Sequence, residues 1–209
     1  MDNADVAVIA AAEGQIIERV SNQDDRNCSL GGPDNPNYIL LKHNDDTYTI
    51  YLHMKRDSLT GKGVGEYVAR GEVLGLMGSS GRSTAPHLHF EWRLEPYANS
   101  RDPFRGPGNP DITVSQWTSQ ENYYVSRVMD MATSGQNITM PDCAPGTLVR
   151  QNVFARGDTI NLAAFFRDLR PDKPALYLVK RPDGTVFKRW VGTVPSDVPA
   201  GWCSRHSEE

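Results

Sequence analysis

The chain has 209 residues, enough for one large domain or two small ones. A net charge of −4 and the lack of any basic stripe argue against a nucleic-acid partner, and no apolar run is long enough for a transmembrane helix. Eighteen glycines and fourteen prolines favour many turns and short strands over long helices.

Residues 1–5 hold no basic segment followed by an apolar one, so they do not read as a signal peptide. Residues 6–12 are a small apolar run. Glu13-Gly14 signals a turn, and residues 15–20 read as a strand, so the two runs are expected to form a hairpin. Residues 21–37 are polar and punctuated by Gly31-Gly32-Pro33 and Asn35-Pro36, which predicts a long surface loop. Residues 38–43 and 47–53 read as two strands joined by the turn Asn44-Asp45-Asp46. His43 reads as a polar residue at a strand end. His53 shares the strand face of Thr49 and Tyr51, and its residue chemistry alone fits a structural role.

Residues 66–68 and 72–77 predict another pair of short strands around the turn Ala69-Arg70-Gly71. A tight loop, Gly78-Ser79-Ser80-Gly81, follows. Pro86 then sets an extended entry, and His87-Leu88-His89-Phe90-Glu91-Trp92 alternates as a strand does. His87 and His89 should therefore point together, with Leu88 and Phe90 turned into a core. Two imidazoles side by side are costly if buried without partners, and useful if one binds a metal while the other handles a proton. From the residues alone a solvated face fits as well as a metal site.

Residues 95–110 carry four prolines, so residues 99–110 read as the exit from a first domain, residues 1–98. Residues 111–209 read as a smaller β-sandwich-like region, immunoglobulin-like in its turn and strand pattern and incomplete at its end. Its strand-like runs are 112–114, 153–154, 159–166, 175–179 and 186–191, with a turn at Arg181-Pro182-Asp183-Gly184-Thr185. Trp117, Tyr123 and Tyr124 fit a core or a carbohydrate contact surface. His206 reads as a residue of a polar tail. Of three cysteines, Cys143 and Cys203 fit a bridge that leaves Cys28 free, and three free thiols fit equally. Ser79, Ser80 and Ser83 lack a nucleophile elbow, and no motif supports Cys28 as a nucleophile.

The order of Tyr51-Leu52-His53, Gly71-Glu72-Val73-Leu74-Gly75, the Gly/Ser loop and Pro86-His87-Leu88-His89-Phe90-Glu91 resembles the lysostaphin and LytM-type zinc metallopeptidases, which cleave peptide bridges in peptidoglycan. The resemblance runs from Val6 to Arg93. It implies an all-β, antiparallel, barrel-like domain. It implies Zn2+ as cofactor, His89 as a metal ligand, and His53 and His87 as catalytic residues that orient water, move its proton or stabilise the oxyanion. It also implies peptidoglycan peptide cross-links as partner and a periplasmic or extracellular location.

A catalytic zinc takes three protein ligands. In the family the other two are a histidine and an aspartate separated by three residues, just upstream of the first hairpin. No histidine precedes His43, and Asp2 and Asp5 lie too close to the hairpin. The expectation is therefore a catalytic domain that is N-terminally incomplete, with its signal sequence also outside the chain. The alternative is a LytM-type regulator that has lost those ligands and activates a cell-wall amidase. A third reading is a structural envelope protein that only binds.

Overall fold

Short apolar runs separated by glycine-rich turns build sheets, and thirteen strands form in the described chain. The structure is a computed structural model that describes residues 5–27, 29–138, 149–168, 174–192 and 204–208. The named strands pair antiparallel, and no helix occurs among the described residues. The all-β expectation therefore holds. The chain divides into two compact units, with residues 5–120 in the first.

In the first unit, β1 (Ala7–Ile9), β2 (Gly14–Val20), β3 (Tyr38–Lys42), β4 (Tyr48–Leu52), β5 (Tyr67–Val68), β6 (Val73–Leu76), β7 (His89–Glu95) and β8 (Ala98–Arg101) follow in chain order. Six of them make one sheet in the order β5-β2-β3-β4-β7-β8, and β1 pairs with β6 as a separate ribbon. The β3–β4 hairpin forms as expected, with Ile39 opposite Tyr51 and Leu41 opposite Thr49. Its turn closes through His43 N–H to Thr47 O at 2.9 Å.

Two expected hairpins do not form. β1 pairs with β6 rather than β2, and β5 pairs with β2 rather than β6. The turn residues change the chain's direction, but burial selects the partner: Val8, Ile16, Val68 and Leu74 meet in one core with Ile39, Leu41, Tyr51 and Met54. Ile39, Leu40 and Leu41 are all fully buried, so β3 is covered on both faces. Each such side chain contributes about 1.5–3 kcal/mol by leaving water. Phe90 packs on this core as expected, whereas Leu88 remains 40% exposed, because β7 begins only at His89.

Residues 99–110, expected as a connection, begin inside β8, which pairs with β7. Beyond it, Gln120 bonds the backbone of Arg105 twice, at 2.8 Å each, and Asn109 Nδ2 donates to Asp102 O and Phe104 O. Side-chain amides thus satisfy a backbone that proline keeps out of the sheet. Trp117 lies against Phe90 and Phe104 at centroid distances of 5.7 and 5.8 Å, a packing role. Residues 112–114 form no strand.

In the second unit, β9 (Arg127–Ser134), β10 (Asn161–Arg167) and β13 (Ser204–Glu208) form one sheet in the order β13-β10-β9. β11 (Ala175–Lys180) and β12 (Val186–Gly192) form a hairpin, closed by Arg181 N–H to Thr185 O at 2.8 Å. The sequence pattern does not predict β9, and residues 204–208, expected as a polar tail containing His206, pair with β10 instead. Tyr123 and Tyr124 meet edge to face and are both exposed. Cys28, Cys143 and Cys203 lie outside the described residues, and the disulfide expectation with them.

Candidate active site

The end of β4 and the start of β7 are neighbours, since Leu52 pairs with His89. This register brings together histidines more than thirty positions apart in sequence. His53 follows β4 directly and turns out of the strand with φ of +62°, a left-handed conformation that histidine adopts at a cost. It therefore leaves the face shared by Thr49 and Tyr51, on which the sequence pattern places it. Its ring lies 4.8 Å from that of His87 and 5.5 Å from that of His89, centroid to centroid. The three predicted site residues are thus one cluster, with His53 8% exposed and the other two open to solvent.

The acceptors around each ring fix its tautomer. His53 Nδ1 lies 2.6 Å from the carbonyl oxygen of Ser80, so Nδ1 carries the hydrogen and Nε2 carries a lone pair. His87 Nδ1 lies 2.7 Å from Ala85 O and holds its proton in the same way. His89 is the reverse: its Nε2 faces Glu91 Oε1 at 2.8 Å, which leaves the Nδ1 lone pair available. Glu91 is ionised, since the Arg93 guanidinium first, then Ser100 and His89, outweigh partial burial and hold its carboxyl down at about 2. Burial pushes His53 below the ordinary histidine value. The Ser80 carbonyl opposes that shift, and His87 and His89 add to it. His53 is accordingly a neutral imidazole near pH 7, able to accept a proton at Nε2.

The Gly/Ser loop is a buried scaffold, where sequence reasoning gives the serines only a simple turn role. Ser79, Ser80 and Ser83 are all buried. Ser79 Oγ donates to Ser83 Oγ at 2.7 Å, and Ser83 Oγ lies 3.3 Å from His87 Nδ1. Gly78 is forced by close approach: a Cβ there would stand 2.7 Å from the Lys55 backbone and 2.8 Å from that of Met54. The long loop of residues 21–37 lies along this scaffold, through bridges Arg26–Ser79 and Ser29–Ser83 and an Arg82–Asp34 ion pair at 2.5 Å. His43, by contrast, is satisfied at both nitrogens, by Glu13 O at 2.7 Å and Thr49 Oγ1 at 2.9 Å, and plays a structural part.

His89 Nδ1 has the chemistry of a zinc donor. Among the described residues, however, no group of three or more histidine, cysteine, aspartate or glutamate side chains could hold a metal ion. By themselves the described residues do not fit a catalytic zinc.

Residues 2–103 match the sequence model of peptidase family M23. The chain is 40% identical over 99 residues to lysostaphin of Staphylococcus simulans, covering 47% of this chain and 18% of that protein. It is 40% identical over 58 residues to the peptidoglycan DD-endopeptidase ShyC of Vibrio cholerae, covering 28% of this chain and 13% of that protein. Among solved structures, the catalytic domain of lysostaphin from Staphylococcus simulans matches at 31% identity and a TM-score of 0.38, covering 48% of this chain and 69% of that one. The matches span about a fifth or less of the length of the curated relatives.

Proposed function

The chain belongs to peptidase family M23, and we propose that its first unit hydrolyses peptide cross-links of bacterial peptidoglycan in the periplasm or outside the cell. Zn2+ is the proposed metal, with His89 the one ligand among the described residues. The observation that carries this reading is the convergence of His53, His87 and His89, with Nε2 of His53 and of His87 both left free to handle a proton. The pair takes a proton from the attacking water and returns it to the leaving amine. Burial keeps His53 neutral, so it does not need to lose a proton first. Once protonated, either ring is a cation beside the developing oxyanion. The similarity to ShyC of Vibrio cholerae, a peptidoglycan DD-endopeptidase, supports the substrate class.

A second reading is favoured by the lack of a three-donor group among the described residues. In that reading the unit is a regulator that activates a cell-wall amidase, and the histidine cluster serves binding alone. One experiment separates the two. Purified peptidoglycan is incubated with the chain, with added zinc, and with or without an envelope amidase. Release of soluble fragments by the chain alone supports hydrolysis. No release alone, but faster release by the amidase, overturns it in favour of the regulator.

A further inference from the structure

Asn37 is fully buried, sits at the end of the long loop, and belongs to none of the groups given a chemical role above. Its side-chain amide has three partners. Oδ1 accepts from Gln23 N–H at 2.8 Å, and Nδ2 donates to Gln23 O at 2.8 Å and to Met54 O at 3.0 Å. A flipped amide would aim Nδ2 at an N–H and Oδ1 at two carbonyls, so this orientation is the only one that bonds. The backbone of Asn37 is used as well. Its N–H donates to Ser80 Oγ at 2.8 Å, and its carbonyl accepts from Met54 N–H at 3.1 Å.

The circuit closes on His53. Ser80 Oγ donates to Met54 O at 2.9 Å, and Ser80 O accepts the His53 Nδ1 proton. Met54, the residue immediately after His53, is therefore held at its N–H by Asn37 and at its carbonyl by both Asn37 and Ser80. Gly78 N–H holds the His53 carbonyl at 3.0 Å. A left-handed histidine persists only where its surroundings over-determine it, and these bonds do so. Such a network, shielded from water, is rigid when complete and costly when one member is lost.

We propose that Asn37 is a positioning residue. Through Met54 and Ser80 it holds His53 in its left-handed backbone conformation and in the Nδ1–H tautomer, and through Gln23 it ties the long loop to the same point. The catalytic part of this inference rests on the hydrolytic reading above, and the tautomer part does not.

The test uses the full chain and three variants: Asn37→Asp, which replaces the amide donor facing two carbonyls with a carboxylate oxygen, Ser80→Ala, and Gln23→Ala. The Gln23 side chain bonds only Asn22 among its described partners and lies outside the circuit, so that variant is the control. Two-bond 15N–1H correlation spectra of the His53 ring, recorded above pH 8, read the tautomer directly. A single Nδ1–H tautomer in the wild type and in Gln23→Ala, with a mixture in Asn37→Asp and Ser80→Ala, supports the proposal. Where hydrolysis is measured, Ser80→Ala should lower kcat about tenfold and leave KM within about twofold, because misplacement of a catalytic group costs rate and not ground-state binding. If Asn37→Asp does not fold, Ser80→Ala decides. A folded Ser80→Ala variant that keeps the single tautomer overturns the proposal. A wild type that hydrolyses nothing overturns the hydrolytic reading, while the spectra still decide the role of Asn37.

Discussion

In the first unit, β3 and β4 bury Ile39, Leu41 and Tyr51, and beside them Asn37, His53, Ser79 and Ser80 are buried with hydrogen-bond partners in place. In the second unit, the β11–β12 hairpin leaves Leu176, Leu178 and Val191 about half exposed, and its buried apolar clusters are small. There the buried polar pair Ser134 and Asn161 ties β9 to β10 through Asn161 Nδ2 and Ser134 O at 3.3 Å. Burying a polar group is unfavourable unless it is bonded. The first unit accepts that cost around three imidazoles, which is where rigid placement of a reacting group is worth most. Among the described residues of the second unit, the buried pair Ser134 and Asn161 serves to join strands.

Substitutions in each unit test this contrast. The largest effect should follow His87→Ala, which removes one of the two proposed proton carriers. Hydrolysis of cell-wall substrate should fall about 100- to 10,000-fold. Trp190→Ala, in the second unit, should leave the rate on a short soluble cross-link peptide unchanged. Equal losses in the two variants would erase the distinction between the units.

Next comes Leu41→Ala, which opens a cavity in the packed sheet. It should destabilise the first unit by about 2–5 kcal/mol in urea unfolding. Gly78→Ala should cost about 1–3 kcal/mol, because its Cβ meets the backbone of Met54 and Lys55 rather than a side chain that can yield. The smallest effect is expected for Leu178→Ala, within about 0.5 kcal/mol, since that side chain is already half in water. A Leu178→Ala cost as large as that of Leu41→Ala would show that the hairpin face is covered.

The three histidines are legible in the sequence because each lies in one of two short patterned stretches, Tyr51-Leu52-His53 and Pro86-His87-Leu88-His89-Phe90-Glu91. The β3–β4 hairpin is legible because its turn and alternation are local. Asn37 and Ser80 are not. Their partners lie 14, 17, 26 and 43 positions away, and no local pattern marks an asparagine before a strand as buried. Glu91 is visible as a residue of the motif, but its link to His89 Nε2 depends on rotamers, not on order. The partners of β1 and β5 escape a sequence reading because Glu13-Gly14 and Gly71 reveal a bend without saying which strand lies alongside. β9 escapes it because its first five residues are largely exposed and give no alternation.

The most direct test counts new amino groups released from purified peptidoglycan by the wild-type chain and by His87→Ala, with zinc supplied to both. Hydrolysis of peptide cross-links predicts amino groups that accumulate with the wild type and fall by about 100-fold or more in the variant. No new amino groups with the wild type, or equal release by the variant, would contradict the assignment of the histidine cluster as a hydrolytic site.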